Sequence, residues 1–95
     1  MKNYYVYILA SRRNGTLYVG ITADIITRVH QHKLGEVPGF TKKYNVNQLV
    51  YYETHEYVLN AIQREKHIKA WKRKWKLQLI EEQNPNWIDL YYNFI

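Results

Sequence analysis

Ninety-five residues, 46% of them hydrophobic, suit one compact domain spanning residues 1–95 and leave no room for a second. A chain this short buries roughly 60% of the surface it exposes when unfolded, and with no cysteine neither a disulfide nor a thiolate-bound metal reinforces that core. Fourteen Lys and Arg against eight Asp and Glu give a net charge of +6, which favours polyanionic partners because basic side chains on phosphates release condensed counterions.

Tyr4–Ala10 is rich in Tyr, Val and Ile and reads as a first strand. Lys2 before it gives the outline of a signal peptide. The apolar run is too short for one, holds three tyrosines and meets Arg12-Arg13 at once. No stretch approaches the roughly 18 apolar residues of a membrane span. The chain is expected to be soluble, not exported and cytoplasmic, and the missing cysteines agree with a reducing compartment.

Thr16–Thr22 reads as a second strand, and Asn14-Gly15 between the two is a strong hairpin signal. With Asn14 and Gly15 as the central turn residues, Tyr7 pairs with Thr22, Leu9 with Gly20 and Ser11 with Tyr18. Cross-strand partners share a face and faces alternate, so Tyr7 and Tyr18 project from the same side. Gly20 forfeits packing in mid-strand, which marks a bulge or a close backbone approach.

Asp24 caps an expected helix running to about Lys33, with Ile25 and Val29 on its apolar face and Arg28 and His32 one turn apart. Gly35–Gly39 reads as loop, and Thr41-Lys42-Lys43 continues it towards a third strand at Gln48–Thr54. A helix from about Glu56 to Ala70 places Tyr57, Val58, Ala61, Ile62, Ile68 and Trp71 on one apolar arc. Glu65 falls inside that arc. A carboxylate there needs a cation, a hydrogen bond or a metal, and one of its many basic neighbours is the simplest partner. The helix is expected to break near Trp71 and be followed by another carrying Trp75, Leu79 and Ile80. Asn84-Pro85-Asn86 ends that helix, and a last turn spans Trp87–Tyr91. The fold class is α/β of the α+β kind, a small three-stranded, mainly antiparallel sheet flanked by helices.

Seven of the basic residues lie between Arg64 and Lys76, interleaved with Trp71 and Trp75, a mixture useful on nucleic acid. His30 and His32 lack helical metal-ligand spacing, and no Gly-rich phosphate loop, nucleophile motif or zinc knuckle is present.

Tyr5-Val6-Tyr7, ten residues, then Tyr18-Val19-Gly20 resembles the paired motif that names the GIY-YIG nuclease superfamily. Thr22, Ile25, Arg28, His32 and Gly35 follow in the family's order, and Ala61-x-x-Arg64-Glu65-x-x-Ile68-Lys69-x-Trp71 resembles its metal-helix region. The chain is most similar to the small stand-alone bacterial branch related to the N-terminal domain of the DNA-repair excinuclease. Tyr5 stands where the superfamily name has Gly, and valines replace both isoleucines.

The resemblance implies an endonuclease that hydrolyses DNA with a single Mg²⁺ or Mn²⁺ on Glu65. Tyr7 would activate or orient the attacking water, helped by Tyr18 or His32. As a base, Tyr7 needs a cationic neighbourhood to favour phenolate over its ordinary pKa near 10. Arg28 would stabilise charge on the phosphate, Gly20 would let the backbone pack beside the site, and Lys42, Lys43, Lys69 and Arg73 would contact nucleic acid. Asn84 is the nearest candidate for the family's late asparagine. RNA is not excluded as a substrate, and with no separate DNA-binding domain a protein partner is a candidate for targeting. The alternative is a nucleic-acid-binding module of the same fold that does not cut. A protein-interaction role for the aromatic Trp87–Ile95 end is a third reading.

Overall fold

The computed structural model describes residues 2–95. Three strands, β1 (Tyr4–Ala10), β2 (Leu17–Thr22) and β3 (Gln48–His55), form an antiparallel sheet in the order β2-β1-β3. The uninterrupted apolar run Val6–Ala10 explains why β1 takes the centre: all five of its side chains are buried, two or three against each face.

Val6, Ile8 and Ala10 point to one side with Val19, Val50 and Tyr51. There they meet Ala61 and Ile68 of helix α3 (Val58–Ala70) and Ile80 of helix α4 (Arg73–Gln83). Tyr7 and Leu9 point to the other side with Leu49, where Ile25 and Val29 of helix α1 (Ile25–Lys33) cover them. A bulge keeps both faces consistent. Ile8 pairs with Tyr51 but Leu9 with Leu49, so Val50 is the extra residue and joins Tyr51 on the α3 side.

The hairpin loop is longer than its Asn-Gly pair implies. Ser11 N–H donates to the Thr16 carbonyl and Gly15 N–H to the Arg12 carbonyl, which leaves a four-residue loop, Arg12–Gly15, with Asn14 in the left-handed region at φ 58°. The register is therefore displaced by two from the expected pairs. Tyr7 faces Gly20 and Leu9 faces Tyr18. A shift of two preserves every face, so Tyr7 and Tyr18 share a side as expected.

Asp24 caps α1 by accepting from Thr27 N–H, and the two helices expected after β3 are present with their break at Trp71-Lys72. Four expectations are corrected. Phe40–Lys43 is a short helix, α2, and not plain loop. Strand β3 runs on to His55, and α3 starts only at Val58. Tyr57 and Val58 are exposed, because they lie at the mouth of α3 before it reaches the sheet. The last turn is a 3₁₀ turn at Leu90–Asn93, and the chain end is not a bare aromatic surface: Trp87 and Tyr91 are buried.

That end is strapped down by polar bonds. Asn84 donates to the carbonyls of Val50 and Ile88 and accepts from Ile88 N–H, so its amide is spent on joining α4 to the bulge of β3. Asp89 accepts from Lys33 Nζ and Leu49 N–H. No described helix is long and apolar enough to cross a membrane.

Candidate active site

The expected site residues meet at the outer edge of the sheet. Tyr7 starts from the central strand and its ring crosses β2 at Gly20. A Cβ on Gly20 would lie 2.5 Å from both Cζ and the hydroxyl of Tyr7, and 3.0 Å from Cε2 of Tyr18. The glycine is the passage by which a central-strand phenol reaches the sheet edge.

Helix α1 supplies the roof. His32 Nε2 lies 3.4 Å from the Tyr7 hydroxyl, and its Nδ1 lies 3.0 Å from the Thr41 hydroxyl of α2. The ring centroids of Tyr7, Tyr18 and His32 are mutually 5.7–6.5 Å apart, a triangle of three aromatic faces. Arg28, one turn before His32, donates from Nη1 to Gln31 Oε1 at 3.4 Å, and its positive charge acts on the Tyr7 phenol.

Helix α3 packs on the opposite face, yet Glu65 and Lys69 reach round the edge of β2. Lys69 Nζ holds Glu65 Oε2 at 2.7 Å and stands 6.0 Å from the centre of the Tyr18 ring. Tyr7, Tyr18, Arg28, His32 and Glu65 are thus brought together around one edge strand. Glu65 has the basic neighbour that its place in the apolar arc demanded. Its side chain is only 13% exposed, whereas that of Lys69 is 50% exposed.

The electrostatics bear on the condition set for Tyr7 as a base. Burial pushes the Tyr7 phenol up to about 12. The nearby Arg28 guanidinium works against this, while the Tyr18 and Glu65 charges add to it. The cationic neighbour does not overcome desolvation, so Tyr7 is a neutral phenol. Burial and then the charge of Arg28 bring His32 down to about 4, so it is a neutral imidazole.

Among the described residues, no group of three or more His, Asp or Glu is placed to hold a metal. Glu65 is a lone hard oxygen donor. That suits a cation such as Mg²⁺, which keeps most of its water and takes further oxygens from phosphate, and does not suit a zinc cage.

A family model described as the GIY-YIG catalytic domain matches residues 3–78. The chain belongs to the GIY-YIG family. Its curated relatives include UPF0213 proteins of Staphylococcus aureus strains Mu3 and Mu50, each 37% identical over 83 residues, which is 87% of this chain and 100% of the relative. The solution NMR structure of the UPF0213 protein BH0048 from Bacillus halodurans is 28% identical, covers 92% of both chains and superposes with a TM-score of 0.57. The chain is therefore similar to small stand-alone GIY-YIG proteins, in a nuclease-type family whose partner is nucleic acid. Both tyrosines and the glycine of the paired motif, here Tyr7, Tyr18 and Gly20, lie in the cluster described above.

Lys42 and Lys43 are exposed on α2, and Arg73 opens α4 with Nη2 donating to the carbonyls of Asn14 and Gly15. Asn84 does not join the cluster, since its amide is engaged at the β3 bulge. Sequence reasoning missed Thr41, buried beside His32, because a threonine in an apparent loop carries no signal until α2 folds it over α1. It also missed a second polar cluster on the α3 face, where Glu53 accepts from Tyr51, His55 and Arg64. The alternation Tyr51-x-Glu53-x-His55 on a strand was the available clue. Arg64 holds the Glu53 carboxyl below the usual range against its burial, and the arrangement fastens α3 to β3.

Proposed function

We propose that the chain is a divalent-cation-dependent endonuclease that hydrolyses phosphodiester bonds in DNA. The observation that carries this reading is the convergence of Tyr7, Tyr18, Arg28 and His32 with Glu65 from the far side of the sheet. Packing alone gives no reason for a largely buried carboxylate to reach round an edge strand towards two tyrosines.

In this reading, with His32 protonated at Nδ1, that nitrogen donates to Thr41 and Nε2 accepts from the Tyr7 hydroxyl. The lone pairs of Tyr7 then accept from a water and aim it at phosphorus. As the water oxygen bonds to phosphorus, the water proton passes to Tyr7 and the Tyr7 proton to His32, so no free phenolate is needed. The opposite P–O bond breaks and its oxygen takes a proton from solvent. Arg28 offers its fork of N–H donors to the phosphoryl oxygens, where negative charge accumulates. Glu65 would hold one Mg²⁺ or Mn²⁺, which when bound polarises a phosphate oxygen and the leaving group.

The test incubates supercoiled plasmid and branched DNA with the protein and Mg²⁺ or Mn²⁺, beside Glu65→Gln. Cutting that disappears in the variant supports the reading. Equal cutting by both proteins removes Glu65 from it, and tight binding without cutting on every substrate replaces it with the non-catalytic module.

A further inference from the structure

Beside the cluster lies an open cleft of about 790 Å³ between the hairpin loop, the end of α2 and the start of α4. It is lined by Arg12, Asn14, Thr16, Tyr44, Arg73 and Lys76, among others. Three of these side chains are cationic, and among the described residues no carboxylate lines the cleft although the chain has eight. Arg73 is exposed and only partly committed, since Nη2 alone holds the two loop carbonyls and its Nε and Nη1 donors are not spent on them. Tyr44 is half exposed, tilted against Phe40 and flanked by Lys43, which gives the cleft an aromatic wall.

Two of the three elements around the cleft also reach the cluster. Tyr18 lies three residues beyond Gly15 on the same hairpin arm, about 10 Å at strand spacing. Thr41, bonded to His32, belongs to the helix that Tyr44 terminates.

We infer that this cleft is a second phosphate-binding subsite, which grips the nucleic-acid backbone on the hairpin side of the bond at Tyr7. Arg12 and Lys76 meet phosphate oxygens, Arg73 braces the loop while offering its remaining donors, and Tyr44 stacks on an unpaired base or a sugar. The inference rests on the nucleic-acid reading of the neighbouring cluster but not on cleavage.

The test measures binding of a fluorescent DNA duplex by anisotropy over a range of salt, for the full chain and for Arg12→Gln/Lys76→Gln. The expected result is affinity lower by roughly tenfold at low salt and a salt slope smaller by about 2, one for each lost phosphate contact. The control is Lys2→Glu, which lowers the net charge by the same two units at an exposed position outside the cleft. Equal weakening in the control, or an unchanged slope in Arg12→Gln/Lys76→Gln, overturns the subsite. Binding that falls as expected in a protein that never cuts keeps the subsite and refutes the nuclease.

Discussion

Tyr7 and Gly20 are direct partners across the β1–β2 ladder, and the phenol of one occupies the space a side chain on the other would fill. The pairing turns a packing vacancy into a route from the core to the sheet edge. Gly20→Ala forces a Cβ to within 2.5 Å of the ring, so Tyr7 must leave its position over β2. The expected cost is about 1–3 kcal/mol in urea unfolding, together with loss of the Tyr7–His32 contact. A variant of unchanged stability whose Tyr7 and His32 resonances do not move refutes the close approach.

Tyr7→Phe keeps the ring over Gly20 and removes only the hydroxyl. Cleavage is expected to fall by roughly 10²–10⁴-fold if the phenol relays a proton, with little change in DNA affinity. Wild-type turnover in this variant would remove Tyr7 from the chemistry.

His32 makes stability depend on pH. The unfolded imidazole binds a proton below about pH 6.5, whereas the buried one resists until about 4. Between those values the unfolded chain binds the extra proton, so stability falls as pH falls through this window, by on the order of 3 kcal/mol at most. Chemical denaturation from pH 7 to 4 is expected to show this slope in the native protein and a flatter one in His32→Gln.

Asn84→Ala removes three hydrogen bonds and strands the carbonyl of Val50 at the bulge. A loss of about 2–4 kcal/mol is expected in thermal or urea melts, with DNA affinity unchanged because the amide is engaged at the β3 bulge and not in the Tyr7 cluster. A large affinity loss in a stable variant would return Asn84 to the site.

Much of this was legible in the sequence because it depends on parity and period. An even hairpin loop, whether of two residues or four, places Tyr7 and Tyr18 on one face, so the error in register did no harm. The helical period found Glu65 in its arc and the i,i+4 spacing joined Arg28 to His32. What stayed hidden depends on tertiary approach. Neither the wrap of Glu65 round β2, nor the fold of α2 that seats Thr41, nor the burial that keeps Tyr7 a phenol leaves a periodic trace.

The sheet edge on which these groups meet also orders them in time. Tyr7, Tyr18, Arg28 and His32 come from one hairpin and the helix after it, a stretch whose contacts are near in sequence and cost little loop-closure entropy. Glu65 arrives only after β3 has closed on β1 and α3 has docked beneath. On the proposed function, synthesis from the N-terminus delivers the residues assigned to the phosphate well before the carboxylate assigned to the metal.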